Sequence, residues 1–455
     1  MPGSAPRSAR HAQRLPLVAH AHPDAIAAYR GGRPVTAAQL LADVHRTAAS
    51  LPDRRHLLNA CADRYNFAVL LCAAIVRGQV SLLPPTTTPN VIESMRGFAP
   101  DAYFVSDDPA LQVDLPRCEL ATGEAAQTKE FHVPQIDGDQ VVACVFTSGS
   151  TGDPQPNFKT WGRLAIGMRG ESARFGVGPG HAILGTVPPQ HMYGFESTVL
   201  LPLASGAILT AERPYYPADI DSLIRCLPSP RTMFITPFHL RVWLESGESE
   251  RIETLVSATA PLPVSLAQMA EQRTGAKLYE IYGCTEAGQV ATRRTTLSPE
   301  WQAYDGLRLW TEGEYALVSG GHVEQPTKLM DIIEVLGDGT RFLLHGRTAD
   351  LVNIAGKRTS LAYLNQQLAA IQGVDDGVFF MRDEAEDAIT RLTAFVVAPR
   401  LSRAALMSAL RQRIDPAFLP RPLYFVPSLP RNATGKLPRS ALVALAASCV
   451  RAHKS

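Results

Sequence analysis

The stretch Phe146-Thr-Ser-Gly-Ser-Thr-Gly152 constrains this chain more than any other. It follows an unbroken apolar run, residues 141–145 (VVACV). A short run of that kind reads as a strand buried on both faces, which requires layers of structure above and below it. A strand that opens into glycines and hydroxyls exposes several backbone N–H groups at one place. Such a concavity grips phosphate oxygens. No Gly-Lys-Ser/Thr closes the loop, so it is not a P-loop of the Walker type. Taken alone it is also the composition of a plain flexible loop.

Three constellations downstream add to it. Tyr282-Gly-Cys-Thr-Glu286 follows a predicted strand over 276–281. Asp331 precedes a Gly337-Asp-Gly339 turn and then Gly346-Arg347. Pro430-Arg-Asn-Ala-Thr-Gly-Lys436 lies near the C-terminus. In order and spacing the four motifs resemble the superfamily of AMP-forming acyl and aryl synthetases, which includes acyl-CoA synthetases, adenylation domains and luciferases. The resemblance runs from about Leu15 to Ala446.

The resemblance implies ATP and Mg²⁺ as cofactors, a small carboxylic acid as substrate, and coenzyme A or a carrier-protein phosphopantetheine as acceptor. Thr147, Ser148, Gly149, Ser150, Thr151 and Gly152 are expected to hold the β- and γ-phosphates. Tyr282 is expected to stack on adenine and Thr285 to donate to the α-phosphate. Glu286 is expected to bind Mg²⁺, a hard cation that prefers carboxylate oxygen. Asp331 is expected to accept both ribose hydroxyls, with Arg347 approaching the ribose or phosphate. Lys436 is expected to bridge the substrate carboxylate and the α-phosphate. The segment Pro188-Pro-Gln-His-Met-Tyr-Gly-Phe-Glu196 resembles the family's acid-pocket motif. It nominates His191 as a catalytic residue and Tyr193 and Glu196 as substrate residues, with Gly283 beside them. Gly356 and Lys357 are expected to line the thiol tunnel.

The chain departs from the family pattern at several positions. Gln155 stands where a phosphate-pairing lysine is usual, and Lys159 is the nearest substitute if the loop folds back. Ala349 stands at the usual polar hinge. Ser257-Ala-Thr-Ala-Pro261 matches an adenine-lining segment without its usual glycines. The segment between Asp331 and Gly346 is one residue longer than usual, an excess expected in the 337–339 turn.

The fold class expected is α/β. Helical patterns over 36–45 and 65–75 alternate with a strand pattern over 80–83, as in parallel sheets covered by helices. Thr36 is placed to cap the first helix. The division expected is a large adenylate-forming body, residues 1–346, and a small mobile α+β lid, residues 347–455. In the lid, 361–371 and 403–414 read as helices, the second capped by Ser402, and 393–397 as a strand. From Arg347 onward there are 15 Lys/Arg against 8 Asp/Glu, leaving 29 against 35 before it. A basic lid suits an acidic acyl carrier protein or the phosphates of coenzyme A, or it simply rests on an acidic body.

The 455 residues carry a net charge of +1, so no global field points to nucleic acid or to a membrane surface. No apolar run is long enough to cross a bilayer. Seven scattered cysteines without Cys-x-x-Cys fit reduced thiols in the cytoplasm. Cys284 reads as a small buried hydrophobe. The leading expectation is therefore an ATP-dependent ligase joining a small, aromatic acid to a thiol. Alternatives are an amino-acid-activating enzyme, in which Glu196 binds the substrate ammonium, and a nucleotide-binding homologue with impaired catalysis. A serine hydrolase is disfavoured by the lack of a Gly-x-Ser-x-Gly elbow.

Overall fold

Apolar runs too short for helices become the buried strands of two sheets. The structure is a computed structural model that describes residues 13–84, 86–121, 131–148, 154–247, 249–313, 315–347, 351–354, 357–381, 392–432 and 435–452. The first sheet has five strands in the order Tyr103–Val105, His56–Asn59, Val80–Leu83, Val141–Ser148, Pro154–Thr160. The first four run parallel, and the last returns antiparallel along Val141–Ser148. The predicted strand at 141–145 thus continues to Ser148, and Thr147 and Ser148 belong to a ladder.

The second sheet has eleven strands. At its centre Lys277–Cys284, Thr254–Ser257, Arg231–Ile235, Ala182–Gly185, Ile208–Thr210 and Ile26–Arg30 are neighbours in that order and all parallel. Antiparallel strands finish both edges. A further antiparallel sheet is built from Leu307–Glu312, Tyr315–Gly320 and Val323–Leu329.

Helices cover these sheets where their patterning allows. Ala37–Ser50 begins at Thr36, whose Oγ1 accepts from Gln39 N while the Gln39 side chain accepts from Thr36 N. That reciprocal cap satisfies two N-terminal donors of the helix. Arg64–Val76 is apolar nearly all round and is buried accordingly. The predicted helices and strand of the C-terminal region appear as Leu361–Ala369, Leu392–Val397 and Arg403–Arg411, the last capped by Ser402. Leu392–Val397 lies between Asp376–Met381 and Leu423–Phe425. Two hydrophobic clusters, one on each face of this sheet, draw only on residues after 360. Among the described residues no helix is long and apolar enough to cross a membrane.

One buried arginine ties the helix Arg64–Val76 to the second sheet. Arg64 is fully enclosed, with Nη1 donating to Thr210 O and Glu212 O and Nη2 to Gly185 O and Val187 O. Its removal strands four carbonyls, and charged hydrogen bonds of this kind contribute more than neutral ones. Arg64→Leu is expected to lower unfolding stability by at least about 3 kcal/mol. Denaturant unfolding measures this, and an unmoved midpoint would show that the pin is dispensable.

Candidate active site

Thr186, Thr236, Ala258 and Cys284 lie at or just beyond the carboxyl ends of four adjacent parallel strands. Neighbouring strands are about 5 Å apart, so this edge is a row of loops spanning roughly 15 Å. Sites in open parallel sheets form along such an edge.

On the strand Lys277–Cys284, Tyr282 is buried with its ring edge-on to Trp301 and Phe342. Its hydroxyl donates to Asp331 Oδ2 at 2.6 Å. Asp331 in turn sits directly opposite Arg347 in the ladder between Asp331–Leu336 and Arg341–Arg347. Three of the expected nucleotide residues are therefore gathered. The register of this hairpin slips by one between Ile332 and Ile333. The ladder thus leaves one residue unpaired beside Gly346. Gly283 follows a bulge and passes so near Gly288 that a Cβ would collide with its carbonyl oxygen. Beyond it Thr285 is half-buried and Glu286 is exposed at the tip of the turn.

Lys159 lies beneath that turn. Its Nζ donates to Thr285 O and, at 3.3 Å, to Glu286 O. This corrects its expected role as a phosphate-pairing substitute for Gln155. The two residues lie on one extended strand, and four steps along it cover about 13 Å. Gln155 instead sits opposite Thr147, and Pro154 opposite Ser148. Burial lowers the Lys159 pKa, against the pull of the Glu196 carboxylate. Cys284, expected to be buried, is only half-buried, and desolvation pushes its thiol up to about 12.

Glu196 occupies a π-helical turn, Phe195–Leu200, and is buried. Burial raises its pKa to about 7, opposed by Lys159 and a hydrogen bond to Gln289. Next to it, Ser197 Oγ donates to Glu171 Oε1 at 2.7 Å, and Gln289 Nε2 reaches Glu171 Oε2 at 3.0 Å. Tyr304 Oη closes the group by donating to Gln289 Oε1 at 3.0 Å. Burial lifts Glu171 to about 8, with the Glu196 charge adding to it and the Ser197 and Gln289 bonds opposing. A cavity of about 80 Å³ opens between Lys159, Glu196, Glu286, Gly288 and His322.

His191 caps the helical turn Met192–Gly194, its Nδ1 accepting from Tyr193 N at 3.3 Å. Burial, then the nearby Lys436 ammonium, lowers its pKa to about 4. Tyr193 points into the core, donating to Val256 O at 2.7 Å and packing on Phe234.

Lys436 arrives from the C-terminal region on a tight turn. Lys436 N donates to Asn432 Oδ1, Asn432 N to Lys436 O, and Gly435 N to Asn432 O. Arg431 grips Asp376 through Nε and Nη2 while Nη1 donates to Gly435 O at 2.7 Å. A Cβ on Gly435 would stand 3.2 Å from Phe238 Cβ and 3.6 Å from Thr236 Oγ1. The turn is thus seated on the strand-end row, within electrostatic reach of His191.

Gly149, Ser150, Thr151, Gly152, Ala349 and Gly356 lie outside the described residues. Lys357 is placed only as backbone, paired with Ile354. Sequence reasoning missed Glu171, Gln289, Tyr304, Arg431 and the true setting of Lys159. A glutamate on the buried face of the helix Trp161–Phe175 was the one legible sign of the polar cluster.

One row of parallel strand ends thus carries Tyr282, Asp331 and a turn that delivers a lysine. The chain belongs to the AMP-binding enzyme family, which matches residues 16–318. It is an AMP-forming acid–thiol ligase of the acyl and aryl synthetase superfamily. It is 28% identical over 303 residues to the 4-coumarate–CoA ligase of Halorhodospira halophila, spanning 64% of this chain and 73% of that one. With the L-allo-isoleucine:holo-(CmaA peptidyl-carrier protein) ligase of Pseudomonas savastanoi pv. glycinea it shares 23% identity over 94% of this chain and 82% of that one. The fold matches the o-succinylbenzoate CoA synthetase of Bacillus subtilis in complex with its acyl-adenylate intermediate. That match has a TM-score of 0.80 at 17% identity and covers 94% and 98% of the two chains.

Two outcomes are expected. The folded-state pKa values of Glu196 and Glu171 lie above the ordinary 4.5, so stability falls as pH rises from about 4.5 toward 7–8. Each fully shifted group contributes up to about 1.4 kcal/mol per pH unit. Glu171→Gln should flatten the dependence of unfolding stability on pH in that window; an unchanged slope would remove Glu171 from its cause. Thr259 has φ +81°, a left-handed conformation that a β-branched residue adopts at a cost. Thr259→Gly is expected to raise the unfolding midpoint, relieving about 1 kcal/mol. A lower midpoint would mean that the threonine side chain's own bonding outweighs the strain.

Proposed function

We propose that this enzyme uses ATP to convert a small aromatic carboxylic acid into its acyl-adenylate and then transfers the acyl group to a thiol. The seating of the Gly435–Lys436 turn beside His191, on the same edge as Tyr282 and Asp331, is the observation that carries the reading. In the first step a carboxylate oxygen attacks the α-phosphorus and pyrophosphate leaves. In the second a thiolate sulfur attacks the acyl carbon and AMP leaves.

The family resemblance, together with the placement of the described residues, supports these roles. Asp331, oriented by the Tyr282 hydroxyl, accepts from the ribose, and Tyr282 stacks on adenine. Thr285 and the strand-loop residues from Thr147 onward contact phosphate. The exposed Glu286 carboxylate fits a magnesium ion that keeps waters and phosphate oxygens as its other ligands. When bound, that ion would spread the charge on the leaving pyrophosphate. His191 is neutral at physiological pH. With Nδ1 accepting, Nε2 carries its proton and can donate to the acid's carboxylate. The Lys436 ammonium neutralises charge gathering between carboxylate and α-phosphate.

Glu196 is already matched by Lys159 and Gln289. We therefore read it as part of the scaffold, which removes the main support for an ammonium-bearing substrate. Aromatic acids are favoured by the 4-coumarate and o-succinylbenzoate ligases among the similar proteins. The acceptor is coenzyme A or a carrier-bound phosphopantetheine. Residues 347–455 act as the lid that delivers Lys436, and the excess positive charge there favours an acidic carrier. Gly356 and Lys357 are assigned to the thiol path.

A screen of benzoates, cinnamates, fatty acids and amino acids by acid-dependent pyrophosphate release, with and without coenzyme A, tests the reading. Stimulation by an aromatic acid supports it, and stimulation by amino acids alone overturns it. Lys436→Ala is expected to lose about 10³-fold in pyrophosphate exchange. One charge about 4 Å away is worth roughly 4 kcal/mol at an effective dielectric near 20, which is about three decades in rate. Arg431→Ala, which frees the turn without touching substrate, is expected to lower kcat about tenfold, near 1.4 kcal/mol, with KM little changed. A rise in KM alone would assign Arg431 to binding instead.

A further inference from the structure

Lys159 belongs to none of the motifs that mark this family, yet the structure builds it into the site. Its strand, Pro154–Thr160, leads away from the phosphate loop, and its side chain is buried. Its ammonium donates to two successive carbonyls, Thr285 O and Glu286 O. When consecutive carbonyls face one buried donor, both peptide planes are set and little freedom is left to the turn. Here the carbonyls are held inward, while the Glu286 side chain stands exposed to solvent. Glu196, across the same small cavity, pulls most strongly against the cost of burying this lysine, with Glu286 adding to it.

We propose that Lys159 is a positioning residue for magnesium–ATP. By clamping the Thr285–Glu286 carbonyls from below, it presents the Thr285 hydroxyl and the Glu286 carboxylate to the phosphates and metal, with Glu196 as its buried partner. The proposal rests on the reading of the site as one for ATP. A residue that orients a metal ligand from behind typically changes metal affinity about 10–100-fold.

Calorimetric titration of ATP into the full-length protein, with magnesium and with EDTA, tests it. Lys159→Met is expected to weaken ATP binding about tenfold or more with magnesium and to change it little in EDTA. Glu286→Gln should show the same pattern, and the double variant should lose little more than either single one. Lys159→Arg should recover part of the loss. A merely structural lysine would lower the unfolding midpoint and affect both titrations alike. That outcome, or a magnesium-dependent affinity unchanged in Lys159→Met, overturns the proposal. If Lys159→Met does not fold, Glu196→Gln and Lys159→Arg are read by the same criterion. Wild-type protein that binds no ATP would instead sink the functional reading itself, so the two failures remain distinct.

Discussion

Gly435 has φ +77° and lies against Phe238 and Thr236, so the residue before Lys436 can only be small and left-handed. The backbone bonds to Asn432 close the turn, and the Arg431–Asp376 fork fastens it to the C-terminal sheet. Through this seat a cation from the last twenty residues reaches the carboxyl ends of strands laid down some two hundred residues earlier. On the proposed reading, Tyr282 and Asp331 would otherwise form a nucleotide cleft without a charge to act at the reacting phosphate. The turn's contact with the strand-end row is what joins binding to chemistry.

Behind that row lies a layer of buried polar groups: Glu171, Ser197, Gln289, Tyr304, Glu196 and Lys159. Burying any one alone would be costly, and each is met by another member. Ser197 and Gln289 both reach Glu171, and Tyr304 fills the remaining acceptor of Gln289. A network satisfied in this way is stiff. It backs the π-helical turn after His191 on one side and the turn bearing Glu286 on the other. The groups proposed to be catalytic therefore stand on a scaffold whose geometry is set by hydrogen-bond directions as well as by apolar packing.

Much of the fold could be read from local pattern. The strands at 80–83 and 141–145, the Thr36 and Ser402 caps and the turn at 337–339 all follow from side-chain periodicity and capping chemistry acting over a few residues. Tyr282, Asp331 and Lys436 were legible as a set because their surrounding residues are themselves distinctive. Lys159 was misread, since counting residues from the phosphate loop says nothing about a strand that carries its side chain toward another segment. Glu196, expected to face the substrate, is met inside the protein by Lys159 and Gln289. Thr259 concealed a glycine-like backbone behind a β-branched side chain.

The chain's own order of residues determined which segments are strands, where helices begin and which side chains are suited to phosphate, ribose and metal, because those properties depend on near neighbours. Tertiary structure alone decided what those side chains face. Lys159 meets Thr285 across 126 positions, and Gln289 meets Glu171 across 118. Contacts of that span arise from the parallel stacking of strands and the seating of one region upon another, and no local pattern encodes them.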